Sequence, residues 1–320
     1  LINKHSPESI ETTSLYKLSG KKAAIDTSIF LYKSLANVRY NGDYLRNKDG
    51  KIVSHVVGLF HKTIQYLSLG ITPIYIFDGK PPVEKQLTLQ ERNKKAEECK
   101  KLAEKSETKE EQIKHEKGSI RIKKYHIEDL KQLFNLMGVS YIHPDGEAEA
   151  YAAELCRKGF VDYVVSEDMD TLVYGCPKMI RSCLDKSIPR RDVVSVINLE
   201  TILKDLQMDM KEFTDMCIIC GCDYCPTIPK VGTVRSLNYI QTYKTIESFI
   251  ESGKCSNIPQ EFIEKFTSAR DLFSIFKDKI NIESLPIFDS QYDKEKLSSF
   301  LISECGMSEK RAINALKKIK

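Results

Sequence analysis

Six carboxylates hold positions from which a folded chain can do chemistry. Asp26 follows the short apolar run Lys22–Ile25, and Asp78 follows the β-rich run Thr72–Phe77. Asp168 and Asp170 follow the apolar run 161–166, and Glu147 and Glu149 open a helical segment directly after Gly138–Ile142. In an open α/β sheet the carboxyl ends of the strands form the crevice where ligands sit. The D-x-D spacing of Asp168 and Asp170 keeps both side chains on one side while the backbone is extended. Acids gathered in this way raise one another's pKa values unless cations neutralise them, and an all-oxygen ligand set suits Mg²⁺ or Mn²⁺. Each acid taken singly has a plainer role: Asp26 before Thr27-Ser28 is a plausible N-cap, and Glu147 in a first turn complements the helix dipole. Capping does not call for acids at several strand ends together, so the pattern points to a metal site.

The elements that must position these acids alternate as βα units. Lys22–Ile25 reads as a buried strand and Ser28–Val38 as a helix. Ser54 is placed as the cap of a second helix, whose Val56, Val57, Phe60, Ile64 and Leu67 recur at helical spacing until Gly70. Thr72–Phe77 is a strand. Tyr125–Met137 is an amphipathic helix, Glu147–Gly159 a helix, and 161–166 and Lys178–Cys183 strands. From Leu199 onward the pattern is almost all helix, including Phe213–Cys220, Val234–Tyr243 and Leu297–Cys305. The expected fold is α/β, a mostly parallel central sheet with helices on both faces and a helical C-terminal region.

The chain has 320 residues, 41% hydrophobic and 29% charged, enough to bury a sizeable core, and no apolar run suits a membrane span. Its 49 Lys and Arg against 45 Asp and Glu give a net +4, but the charge is uneven. Lys85 to Lys124 holds 13 basic residues and 8 acids, which makes this stretch +5 and the remainder −1. It reads as a helical excursion with a basic face toward a polyanion. The 10 cysteines lie largely inside apolar patterns and no glycosylation sequon occurs, which points to a reducing, intracellular compartment. Cys217-x2-Cys220-x-Cys222-x2-Cys225 has a metal-like spacing but no second Cys or His cluster, so core packing is expected. No G-x-S-x-G or phosphate-binding G-x-x-x-x-G-K-[ST] sequence is present.

Five segments in order carry a resemblance: Ala24-Ile-Asp-Thr-Ser28, Tyr75-Ile-Phe-Asp-Gly-Lys-Pro-Pro82, Gly146-Glu-Ala-Glu-Ala150, Ser166-Glu-Asp-Met-Asp170 and Gly221-Cys-Asp-Tyr-Cys225, with Ser54-His55 and Leu136-Met-Gly138 between them. Together they resemble the flap endonucleases of the structure-specific 5′ nuclease superfamily, over nearly the whole chain. The resemblance implies a two-metal phosphodiesterase in which Asp26, Asp78, Glu147, Glu149, Asp168, Asp170 and Asp223 hold two Mg²⁺, with Mn²⁺ as a substitute. It implies that Lys85 and Arg92 reach the scissile phosphate from the first helix of an arch, while Tyr32 stacks on a base. Left to the residues alone, Tyr32 could equally be core, and Lys85 and Arg92 a solvated helical face.

The segment 223–235 resembles a helix–two-turn–helix that grips duplex DNA. Thr227, Ile228 and Val231 match its K⁺ site, and Gly221, Lys230, Gly232 and Arg235 its backbone grip. It departs from the usual pattern where Lys230 replaces a glycine and Thr233-Val234 replaces Pro-Lys. Lys94, Lys95, Arg121, Lys123 and Lys124 are further expected DNA contacts. The implied organisation is an N-terminal nuclease region (1–96), an arch (83–124), an internal nuclease region (114–245) with the helix–two-turn–helix near 217–243, and a C-terminal helical region (246–320). The expected substrate is branched or flap DNA and the expected state a monomer without membrane contact, located in the nucleus of a eukaryote or at a viral replication site. A sliding-clamp partner is possible, though its binding peptide does not occur before Lys320. A 5′→3′ exonuclease, a junction resolvase and an inactive DNA-binding module are the alternatives. The first residues, Leu1-Ile-Asn-Lys4, match the portion after a Met-Gly start, so an upstream segment is expected.

Overall fold

The computed structural model describes residues 1–185, 187–188, 192–279, 287–288 and 291–319. Lys320, the last residue of the basic end, lies outside them. The described strands are β1 (Ile10–Ser14), β2 (Lys22–Asp26), β3 (Arg39–Tyr40), β4 (Asp43–Tyr44), β5 (Thr72–Ile76), β6 (Tyr141–Ile142), β7 (Tyr163–Val165), β8 (Lys178–Ser182), β9 (Val193–Asn198) and β10 (Ile287–Phe288). The fold is α/β with a mostly parallel central sheet, as the βα alternation predicts. β2, β5 and β6 run parallel, as do β7 and β8, while β1, β9 and β10 add antiparallel pairs.

The chain forms two compact units, each assembled from separate stretches. One comprises Leu1–Lys17, Lys80–Thr88 and Glu149–Ser284; the other comprises Leu18–Gly79, Leu89–Ala148 and Leu285–Lys320. In the second unit, β2 pairs with β5 in the register Asp26↔Ile76, and β5 pairs with β6 as Ile76↔Ile142. The Ser54–Ser68 helix packs on β5 and on the Thr27–Asn37 helix. Tyr75 and Phe134 are fully buried and stack at 4.1 Å, and the Tyr75 hydroxyl hydrogen-bonds to Thr63 at 2.7 Å. Ser54 is not the cap that its position suggests: it is buried, and its hydroxyl accepts the Leu45 amide at 2.9 Å.

The basic excursion forms two helices, Gln86–Glu104 and Lys109–Ser119. Their only residue in the core is Ala96, and charged side chains occupy 15 of their 30 positions. At Gly118 an added Cβ would stand 2.7 Å from Cys99 Sγ, so glycine lets the two helices approach.

In the first unit, the helix Met210–Cys220 packs on Thr233–Tyr243, on Gln260–Lys279 and on the short helix Asp170–Val173. Arg270 closes this bundle. Its guanidinium donates to both oxygens of the fully buried Asp215 at 2.6 and 2.8 Å and to Glu247 at 2.7 and 2.9 Å.

Candidate active site

Within the second unit the sheet register delivers three acids to one edge. Asp26 ends β2 and is 1% exposed; its Oδ1 accepts the Ser28 and Ile29 amides at 3.1 and 3.4 Å. The capping role and the strand-end role therefore coincide in one residue. Asp78 follows β5, the parallel neighbour of β2, and its Oδ1 accepts the Ala148 amide at 3.0 Å. That amide belongs to the peptide unit joining Glu147 to Ala148, so Asp78 is bonded to the backbone beside Glu147, itself 4% exposed. The approach is close because Gly79 has no Cβ: one would stand 2.1 Å from the Pro144 carbonyl, and the Gly79 amide donates to Gly146 at 2.9 Å.

The first unit carries the other acids. The Asp168 amide donates to Ser166 Oγ at 3.0 Å, and Asp168 Oδ1 accepts the Asp170 amide at 3.0 Å, which orients the D-x-D turn after β7. Glu149 lies in the first turn of the helix Ala148–Arg157. Asp223 sits in the turn after Met210–Cys220, between Cys222 and Cys225, whose backbones pair in an antiparallel β-bridge. Its backbone carbonyl accepts Thr88 Oγ1 at 2.9 Å, and Lys85 Nζ lies 3.4 Å from its Oδ2. Asp170 faces the same turn: burial chiefly, and secondarily the Asp170 charge, push the Cys217 thiol well up. For Cys222, burial first and Asp170 with it push the thiol up to about 12.

Tyr32 is not a core residue. It is 41% exposed on the Thr27–Asn37 helix, and its hydroxyl donates to the Lys117 carbonyl at 3.0 Å. Arg92, Lys94, Lys95, Lys123 and Lys124 are exposed. Arg121 is half-buried and bonded to Asn93 Oδ1 at 3.0 Å and to the Ile120 carbonyl at 2.9 Å. In the segment between the helices Met210–Cys220 and Thr233–Tyr243, Lys230 has φ +64° and Gly221 φ +119°. Gly232 caps the Thr233–Tyr243 helix, Arg235 Nη1 donates to the Lys230 carbonyl at 2.7 Å, and Val231 N donates to the Ile228 carbonyl at 3.1 Å. Thr227 is exposed, whereas Ile228 and Val231 are buried.

Among the described residues, no three His, Cys, Asp or Glu side chains are grouped as a set that could hold a metal ion. The donor chemistry nonetheless fits hard divalent cations, since every acid offers oxygen and Asp26, Asp78 and Asp168 are oriented by backbone amides. Residue spacing carries no signal of Ser166, Thr88 or the Arg270–Asp215 pair, because each acts through a partner that local periodicity does not mark.

The XPG N-terminal domain model matches residues 1–99, and the XPG I-region model matches residues 138–223. Flap endonuclease 1 of Candida glabrata is 36% identical over 327 residues, covering 100% of this chain and 84% of that protein. The solved flap endonuclease-1 from Methanococcus jannaschii is 29% identical with a TM-score of 0.72, covering 97% of this chain and 95% of that one. The catalytic core of Rad2 in complex with DNA substrate shares the fold, with a TM-score of 0.74 at 22% identity and coverage of 100% and 99%. The chain belongs to the flap endonuclease family of structure-specific nucleases.

Proposed function

We propose that this structure-specific flap endonuclease hydrolyses DNA phosphodiesters at single-strand/duplex junctions, with Asp26, Asp78, Glu147, Glu149, Asp168, Asp170 and Asp223 as the ligands of two Mg²⁺ ions. The observation that supports the reading is the parallel β2–β5–β6 edge, where Asp26 ends β2, Asp78 follows β5 and Asp78 accepts the amide beside Glu147. Bound divalent cations, Mg²⁺ or Mn²⁺ in its place, would supply Lewis acidity to both the attacking and the leaving oxygen of an in-line displacement.

The chain's own residues do the rest. Lys85 brings a positive charge beside Asp223, where it can act on charge developing at the phosphate. Arg92 adds a second cation from the same excursion, which serves as the arch over a 5′ single strand. Tyr32 offers an exposed ring for a terminal base, while its hydroxyl holds the second arch helix. Lys94, Lys95, Arg121, Lys123 and Lys124 bind phosphates. The turn from Gly221 to Arg235 grips the duplex backbone through Gly221, Lys230, Gly232 and Arg235, with K⁺ at Thr227, Ile228 and Val231.

The protein acts in DNA replication and repair. For a eukaryotic source we place it in the nucleus, as a monomer that a sliding clamp can recruit. Asp168→Ala tests the reading. Cleavage of labelled flap, nicked, gapped and four-way substrates in Mg²⁺ should vanish for the variant while junction binding stays within a few-fold. Residual cleavage within tenfold of the parent would remove Asp168 from the ligand set, and the panel itself separates a flap endonuclease from an exonuclease or a resolvase.

A further inference from the structure

Two buried thiols in the first unit meet at one carbonyl. Cys156, in the last turn of the helix Ala148–Arg157, points its Sγ at the Lys178 carbonyl at 4.0 Å; Cys176, in the turn before β8, does so at 3.5 Å. Each thiol also bears on the titration of the other, which draws Cys156 down and pushes Cys176 up. Cys176 is completely buried, whereas Cys156 keeps 8% of its surface and so is the sulfur nearer solvent. Neither participates in the chemistry described above.

We propose that Cys156 and Cys176 form a reversible redox site, which hydrogen peroxide closes to an intramolecular disulfide and a dithiol reopens. The Cys156 thiolate attacks one peroxide oxygen, the O–O bond breaks, and after proton uptake one water leaves a sulfenic acid. Cys176 sulfur then attacks the sulfenic sulfur; the S–S bond forms, the S–O bond breaks, and the Cys176 proton leaves with the hydroxyl as a second water. Two thiols are oxidised and one peroxide is reduced. The roles follow from the surroundings: the Cys176 side chain draws the Cys156 thiol down, whereas burial pushes the Cys176 thiol well up. The thiol that is drawn down is thus also the less buried of the two. A reducing compartment does not conflict with this, since intracellular disulfides are typically transient and redox-sensing.

The bond would close a ring around β7 and the D-x-D turn. Cys176 N donates to the Thr171 carbonyl at 3.3 Å, and Thr171 adjoins Asp170. A disulfide holds its sulfurs about 2.05 Å apart, so forming it draws this segment toward the helix and shifts Asp170. A misplacement of about 1 Å costs roughly 100-fold in rate, so the oxidised enzyme should cut at least about tenfold more slowly. That rate effect rests on the metal-acid reading; formation of the bond does not.

The test treats the full chain with hydrogen peroxide, blocks remaining thiols under denaturing conditions and maps peptides without reduction. The expected result is a linked pair carrying Cys156 and Cys176, lighter by two hydrogens and lost on dithiol treatment, with slower single-turnover cleavage that recovers in parallel. The Cys176→Ser variant should yield no link and should keep its rate in peroxide. The absence of the linked pair in the parent protein overturns the proposal, whatever the variant does. A linked pair with an unchanged rate overturns the coupling to Asp170.

Discussion

Lys85 Nζ lies 3.4 Å from Asp223 Oδ2, and the two side chains are only 15% and 20% exposed. The lysine ends the short turn Val83–Lys85, and the acid lies in the turn after Met210–Cys220. Thr88 braces the junction by donating to the Asp223 carbonyl. The cation is thus held at the acid, so in the proposed reaction little reorganisation would be required as negative charge builds up beside it.

Lys85→Ala should therefore reduce the single-turnover rate by about 100- to 1,000-fold, the typical cost of one preorganised charge-stabilising donor. The dissociation constant for flap DNA should stay within a few-fold, because a loss confined to the transition state appears in rate and not in affinity. Rapid-quench cleavage and fluorescence anisotropy on the same preparation separate the two. A weakened affinity with a preserved rate would make Lys85 part of the docking surface only.

Much of this site is legible in the chain because strand ends advertise themselves. Lys22–Ile25 and Thr72–Phe77 are short, apolar and followed at once by an acid, so local pattern alone puts Asp26 and Asp78 at the carboxyl ends of strands. The helix at 210–220 and the turn after it are similarly marked by apolar periodicity and then Gly221. What stays hidden depends on partners far away. β1 is the mostly polar run Ile-Glu-Thr-Thr-Ser and becomes a strand only because β9 lies beside it in antiparallel register, Ile10↔Ile197. Ser54 looks like a cap, yet its hydroxyl is claimed by Leu45. The assembly of each compact unit from three separate stretches also has no local signature.

Under the proposed reading one atom divides two roles of Tyr32. Its ring, which is exposed, would stack on a base, and its hydroxyl tethers the Lys109–Ser119 helix at the Lys117 carbonyl. Base–aromatic stacking contributes about 1–3 kcal/mol, so Tyr32→Ala should slow flap cleavage roughly 5- to 150-fold. Tyr32→Phe keeps the ring and should lose no more than roughly 2- to 13-fold, since one exposed neutral hydrogen bond nets only about 0.5–1.5 kcal/mol. Equal losses in both variants, measured as single-turnover rates, would assign the effect to the tether.

Lys230 occupies a left-handed position, φ +64°, in the turns between the helices Met210–Cys220 and Thr233–Tyr243. A Cβ there meets the neighbouring carbonyl at a cost of about 1–2 kcal/mol, while glycine gives back roughly 0.4–1 kcal/mol through the looser unfolded chain. Lys230→Gly should then stabilise the protein by about 0.5–1 kcal/mol in urea unfolding. It should also weaken duplex binding modestly and reduce the salt slope by about one charge if this lysine touches a phosphate. A stability decrease would show that the lysine side chain itself supports the turn.

His126 provides the pH test. It is 3% exposed, its ring is 4.6 Å from that of His55, and its Nδ1 accepts the Lys123 amide at 3.1 Å. The proton of the neutral ring must therefore sit on Nε2, and a second proton would set two donors against each other at Nδ1. Burial, and after it the His55 charge, push the imidazole down to about 4 from its ordinary 6.5. The unfolded chain binds the proton first as pH falls, so this contribution to stability is complete above about 6.5 and lost on the way to 4. Its full size is roughly 3–4 kcal/mol by the linkage relation. Urea midpoints at pH 7 and pH 4.5 should show a steeper acid loss for the parent than for His126→Asn, whose side-chain oxygen can still accept from Lys123 but cannot titrate. Acid-titrating carboxylates are common to both proteins, so the difference between the two slopes isolates His126. Parallel slopes would mean that the imidazole is no harder to protonate in the fold than in the open chain.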